Sequence, residues 1–120
     1  MTILVDTSVW IDHFRRSNRR LAGLLEEGMV VSHPFVIGEL ACGNLRRRDE
    51  ILTLLRDLPG TSIVEHDEAL RFVQAWQLHG TGLGWIDVHL LASARLDDVG
   101  LWSLDKTVTV TAKRLGLPGN

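Results

Sequence analysis

The chain has 120 residues, 45% hydrophobic and 23% charged, the make-up of one globular domain able to bury a core without staples. A single cysteine, Cys42, excludes an internal disulfide framework and a cysteine-rich zinc site, and no apolar run nears the roughly 20 residues of a membrane span. The formal net charge of −2 excludes a strong bulk attraction to nucleic acid, and strand-like residues from Ile3 leave no room for a secretory leader, so the expectation is an unexported, cytoplasmic protein.

Ile3-Leu4-Val5-Asp6 is a short apolar run stopped by an aspartate, the pattern of a strand buried on both faces. Thr7 and Ser8 then stand as capping residues for a helix that begins near Val9 and carries Trp10, Ile11 and Phe14. Ser17 is placed to cap a second helix, with Leu21, Leu24 and Leu25 as its apolar stripe and Gly28 as its end. Met29-Val30-Val31 reads as the second strand. Pro34 suits the first turn of a third helix, running through Glu39 to about Leu45.

Arg46-Arg47-Arg48 break the apolar pattern, after which Ile51, Leu54, Leu55 and Leu58 recur at helical spacing up to Pro59-Gly60. Ser62-Ile63-Val64 reads as a third strand, and Asp67 is placed to cap a helix holding Leu70, Phe72, Val73 and Trp76. Beyond the glycine-rich link Thr81-Gly82-Leu83-Gly84, the helix from Trp85 to about Leu96 has little polar face and therefore belongs deep in the domain. Leu101-Trp102-Ser103-Leu104-Asp105 is a fourth strand that again ends at an aspartate. After Lys106, Val108 and Val110 alternate as in a strand, while Ala112, Leu115 and the stop at Gly116 favour a helix, the reading adopted.

Strands alternating with helices predict an α/β fold: one domain over residues 1–120, with a central parallel sheet of four or five strands flanked by helices. Ligands of such sheets bind at the carboxyl edge of the strands. Asp6 and Asp105 both end strands there. Glu39 lies among the apolar Val36, Ile37, Leu40 and Ala41, and Asp87 lies in the first turn of the most apolar helix. Each has a plain structural reading: a cap, a turn residue, a solvated helix residue, a first-turn acid. As a set they say more. Carboxylates gathered in a partly apolar cleft repel, and a divalent cation relieves the repulsion. Oxygen-only ligands point to Mg²⁺ or Mn²⁺ rather than zinc, and such an ion lowers the pKa of water and polarises a phosphate.

Val5-Asp6-Thr7-Ser8-Val9, Glu39-Leu40 with Gly43 beyond, Asp87-Val88-His89-Leu90-Leu91-Ala92-Ser93-Ala94 and Leu104-Asp105-Lys106 resemble, in order and over essentially the whole chain, the PIN-domain ribonucleases. Among these the chain is most similar to the VapC toxins of type II toxin–antitoxin systems. The resemblance implies a PIN-like three-layer fold and a Mg²⁺- or Mn²⁺-dependent endoribonuclease that cuts in line, leaving 5′-phosphate and 3′-hydroxyl ends. It implies Asp6 and Asp87 as principal metal ligands, Glu39 as a ligand or water-orienting group, and Asp105 completing a second, weaker metal position. Thr7 or Ser8 would support the pocket through a hydroxyl. It further implies a homodimer and a small VapB-like antitoxin that wraps an apolar groove and sends a basic side chain to the acids. The chain departs from the family in having Ile86 where a glycine often precedes the third acid, and Val108 where an aromatic residue often follows the fourth.

Seven of the 13 basic residues fall in two clusters, Arg15, Arg16, Arg19 and Arg20, and Arg46, Arg47 and Arg48. Given a nuclease they suit RNA phosphates, with Arg15, Arg16, Arg46 and Arg47 as the candidate contacts; otherwise they are a solvated helix end and loop. Of the tryptophans, Trp85 beside the glycine-rich link is the candidate for base stacking, and the other three read as core. His89, two residues from Asp87, points to a different helical face, and Cys42 reads as a small buried side chain. Two rival functions share these features. A phospho-acceptor receiver domain would want a second acid where Thr7 stands. A noncatalytic RNA- or protein-binding PIN module would have no need to keep four anions together.

Overall fold

The computed structural model describes residues 1–118. Its chain order is β1 (Ile3–Val5), α1 (Thr7–Arg16), α2 (Arg19–Glu26), β2 (Val30–Val31), α3 (Pro34–Cys42), α4 (Arg48–Asp57), α5 (His66–Trp76), α6 (Trp85–Asp97), β3 (Gly100–Trp102) and α7 (Lys106–Arg114). The sheet is parallel, in the order β2-β1-β3, with Leu4 paired to Val31 on one side and to Leu101 on the other. β1 is therefore central, and its three apolar side chains are at most 4% exposed. An apolar run with no polar face can be satisfied only between two covering layers, which explains why the sheet is sandwiched by helices. Gly100 has a steric cause: a Cβ there would stand 2.5 Å from the Pro118 carbonyl oxygen, which accepts from the Leu101 N–H.

α6 fills the interior as expected, with every side chain from Val88 to Ala94 buried. The tail after Lys106 is a helix, in agreement with the reading from Ala112 and Leu115. Several expectations need correction. Among the described residues the sheet has three strands rather than four or five. Residues 62–64 form no strand: pairing stops at one bridge, Ser32 to Gly60, because the Ser62 N–H turns to the Asp97 carboxylate and Ile63 is 60% exposed. Ser17 is not a helix cap at the start of α2; it closes α1 at φ +55°, and Asn18 caps α2 by accepting the Leu21 N–H. Asp67 lies inside α5, whose entry is held by the Glu68 carboxylate reaching back to the Glu65 N–H. α3 ends at Cys42 rather than Leu45, and Cys42 is exposed rather than buried.

Candidate functional site

The sheet geometry sets the site. β1 and β3 run parallel in register, with the Asp6 N–H still bonded to the Trp102 carbonyl at 2.9 Å, so Asp6 and Ser103 leave the sheet side by side. Asp6 is buried at 7% exposure and caps α1, its Oδ1 accepting from the Thr7 N–H at 2.8 Å. Its Oδ2 accepts from two hydroxyls, Ser103 at 2.6 Å and Ser8 at 3.0 Å. Those hydroxyls accept in turn, Ser103 from the Asp105 N–H and Ser8 from the Leu104 N–H, both at 3.0 Å. Each hydroxyl has one proton, already given to Asp6. The 3.4 Å approach between Ser8 and Ser103 is therefore proximity within one clamp rather than a further bond.

The remaining acids arrive from three other elements. Asp105 caps α7 by accepting the Val108 N–H at 3.1 Å. Asp87, in the first turn of α6, accepts the Gly84 N–H at 2.9 Å. Glu39, on the exposed side of α3, accepts the Thr7 hydroxyl proton at 2.7 Å, which ties α3 to the start of α1. Asp87 is held above the usual carboxylate range, by burial first of all. The Gly84 N–H opposes that rise, while the charges of Asp6, Asp105 and Glu39 add to it. The four carboxylates therefore share one electrostatic neighbourhood.

Three of them sit where helices α1, α6 and α7 begin. Helix N-termini carry partial positive charge, and together they offset part of the repulsion among the anions. The fit to a divalent cation can be judged from the donors. Glu39, Asp87 and Asp105 each spend one carboxylate oxygen on a bond that holds the fold, and among the described residues the other oxygen has no hydrogen bond. Those leftover oxygens, with Asp6 Oδ1, make a hard, oxygen-only donor set of the kind Mg²⁺ and Mn²⁺ take. Among the described residues, no group of three or more His, Cys, Asp or Glu side chains stands so as to hold a metal ion.

The sequence reading missed Ser103. Its signal was present, since Ser103-Leu104-Asp105 ends β3 as Asp6-Thr7-Ser8 ends β1, but only the parallel register reveals that the two serines converge on one carboxylate oxygen. Of the arginines, Arg15, Arg46 and Arg47 line a groove of about 920 Å³ together with Glu39, at the carboxyl end of α3. Arg16 is not in it and pairs instead with Asp12 at 2.6 Å. Arg20 lies over the Trp102 ring, 4.3 Å from its centroid. A second, apolar hollow of about 260 Å³ lies between α1, α2 and α4, lined by Trp10, Phe14, Leu25, Ile51, Leu55 and their neighbours. Among the described residues no helix is long and apolar enough to cross a membrane.

Residues 3–114 match the family model of the PIN domain. The chain is 44% identical over 116 residues to Ribonuclease VapC32 of Mycobacterium tuberculosis, in sequences from two strains, covering 96% of this chain and 94% of the relative. Among solved structures it is similar in fold to PAE2754 from Pyrobaculum aerophilum, with TM-score 0.60, 14% identity, and coverage of 97% of this chain and 90% of that one. It is also similar to FitAB bound to an IR36 DNA fragment, with TM-score 0.62, 14% identity, and coverage of 99% and 94%.

Proposed function

From the premise that the chain belongs to the PIN-domain family, with the VapC ribonucleases, we propose that it is an endoribonuclease, the toxin of a type II toxin–antitoxin pair. What supports this most is that Asp87 feels the charges of Asp6, Asp105 and Glu39, acids brought by separate elements and, Glu39 apart, standing where helices begin. A noncatalytic binding module would gain nothing from concentrating anions that repel each other and the RNA.

In this reading the four carboxylates hold Mg²⁺ or Mn²⁺, with Asp6 and Asp87 the principal ligands. When bound, the ion supplies Lewis-acid polarisation of the phosphate and a lowered pKa for water. The chain's own residues do the rest. Ser8 and Ser103 fix Oδ2 of the Asp6 carboxylate, leaving Oδ1 with a single backbone bond, from the Thr7 N–H. Thr7 fixes Glu39, whose other oxygen is free to orient a water or the ion. Burial, with the neighbouring acids, disfavours the charged form of Asp87, and an arriving cation would favour it. The cationic side chains Arg15, Arg46 and Arg47, beside Glu39, take the RNA phosphates and make up for the acidic pocket and net charge.

The apolar hollow between α1, α2 and α4 is the groove for a small VapB-like antitoxin, and the working unit is a homodimer of single PIN domains acting in the cytoplasm. The test is cleavage of total cellular RNA in Mg²⁺ or Mn²⁺ and in EDTA, with end mapping. Wild type should leave 5′-phosphate and 3′-hydroxyl ends, and Asp6→Asn and Asp87→Asn should lose roughly 10²-fold or more, since even outer-shell partners of a metal cost up to that. Growth arrest that persists in both variants would remove nuclease action as its cause. RNA binding without cleavage in either metal would favour a noncatalytic module.

A further inference from the structure

α3 passes three chemically different neighbourhoods. At its carboxyl end lies the arginine groove, and in its middle Glu39 joins the acids. Its amino end carries Phe35, one turn before Glu39 and so on the same face. From fully buried His33, whose ring centroid is 5.1 Å away, a run of packed rings passes through Phe35. Its ring meets buried His89 edge-on at 4.8 Å between centroids, His89 meets Trp85 edge-on at 4.8 Å, and Trp85 meets His66 at 5.2 Å. The run begins in the interior and ends outside: His89 is 4% exposed, whereas Trp85 is 39% exposed and His66 is exposed. Trp85 opens α6 two residues before Asp87, on a different face but at the same amino end of the helix, so the outer end of the run and Asp87 share that end. Trp85 thus presents a large ring, braced from behind by His89 and partly open in front.

We infer that Trp85, with His66 beside it, is a stacking shelf for one nucleobase of single-stranded RNA, lying across Glu39 from the arginine groove. The strand then runs along α3. Its phosphates are held by Arg15, Arg46 and Arg47 on one side of the acids, and a base is held by Trp85 on the other. From Phe35 to Gly43 α3 spans about 12 Å, at about 1.5 Å per residue, a stretch that backbone phosphates two nucleotides apart can bridge. Stacking tolerates any base, so the shelf places the strand rather than selecting its sequence, and a preference for large rings would follow from stacking strength. This rests on the ribonuclease reading.

The experiment measures binding of a short single-stranded RNA of mixed sequence in EDTA, where no cleavage intervenes, over a series of salt concentrations. The proteins are wild type, Trp85→Leu, Trp85→Phe and the double variant Arg46→Ala/Arg47→Ala. Leucine keeps apolar bulk against His89 but offers no π face, so Trp85→Leu should bind about 5- to 100-fold more weakly with its salt dependence unchanged. Trp85→Phe should recover most of the loss. The arginine variant should instead flatten the salt slope, by about 0.7 for each phosphate released. Removing one base at a time from the RNA should cost wild type at one position and cost Trp85→Leu nothing there. Equal binding by wild type and Trp85→Leu, or equal losses for leucine and phenylalanine, would overturn the shelf. So would a changed sedimentation of Trp85→Leu with RNA binding intact, which would mark an interface between copies. If wild type binds and cleaves RNA while these results fail, the shelf alone is wrong. If wild type neither binds nor cleaves RNA, the nuclease reading falls with it.

Discussion

At the scale of single residues, the four acids are structural and chemical at once. Asp6, Asp87 and Asp105 each satisfy backbone N–H groups at a helix start, and Glu39 takes the Thr7 hydroxyl. Because the structural task uses one oxygen, replacement by the amide preserves it: an Asn oxygen still accepts from Gly84. Asp87→Asn should therefore raise the melting temperature of the metal-free protein near neutral pH. The sign follows from the raised Asp87 pKa. The folded state favours the protonated form, so its contribution is present at low pH and lost as pH rises through the folded value, and the neutral amide keeps it at every pH. Cleavage by the same variant should be lost, so a variant that is both less active and no more stable would contradict the account of the pocket as a repulsive cluster. Ser103 gives the complementary case. Its hydroxyl bonds buried Asp6 at 2.6 Å and acts through that carboxylate, so Ser103→Ala should lower kcat/KM about 10- to 100-fold. The loss should be partly recovered by raising Mn²⁺, which a purely structural defect would not allow.

At the scale of elements, legibility depended on whether a signal was local. Helix periodicity in α1, α4 and α6 is local and was readable, as was the apolar run of β1. Caps were read less well because several candidates stood together. Ser17 and Asn18 are equally good capping types, and only the left-handed φ of Ser17 and the Asn18 bond to Leu21 separate them. Asn18→Ala should accordingly cost about 1 kcal/mol, a loss of roughly 4 °C in Tm for a domain of this size, with cleavage unchanged. Ser17→Ala should cost much less, which differential denaturation of the two variants would check. The false strand at 62–64 has the opposite origin. Ile63 and Val64 carry β-propensity, but pairing there is decided by Asp97, 35 residues away, which takes the Ser62 N–H. In the candidate site Asp6 and Asp105 stood out because anions at the ends of buried runs are unusual, and Glu39 and Asp87 because their helical neighbours are apolar. Ser103 did not, since its meaning comes from the pairing of β1 with β3, and neither did the separation of Arg16, paired to Asp12, from the groove arginines.

At the scale of the molecule, one end of the interior is polar. His33, at the start of α3, is fully buried, with Nδ1 accepting the Phe35 N–H at 3.0 Å and Nε2 without a partner among the described residues. His89 Nδ1 and Ser93 Oγ of α6, and Thr61 Oγ1 beside Ser32, are also buried without partners, so α6 meets the edge of the sheet through groups that bear no charge easily. Burial pushes His33 down to about 4 from its ordinary 6.5, with the nearby His89 adding to the effect. A proton on Nδ1 would also cancel the cap of α3, the helix that carries Glu39. The linkage runs against acid. Above pH 6.5 both folded and unfolded His33 are neutral and stability is unaffected. Between 6.5 and about 4 the unfolded chain binds the proton and the folded chain does not, so stability falls as pH falls, and below about 4 the loss is complete. Some 2.5 pH units at about 1.4 kcal/mol each give a loss of roughly 3 to 4 kcal/mol at most. Asp87 works in the other direction, gaining stability on acidification, so the two partly cancel in the wild type. Replacing His33 by Asn keeps a side-chain acceptor for the Phe35 N–H and removes the titration. His33→Asn should therefore lose less stability than wild type between pH 6.5 and about 4, its Tm gaining relative to wild type with each step down within that window and no further below it. Parallel Tm-against-pH curves for the two proteins would show that His33 does not stay neutral in the fold and would undo the argument that this end of the core excludes charge.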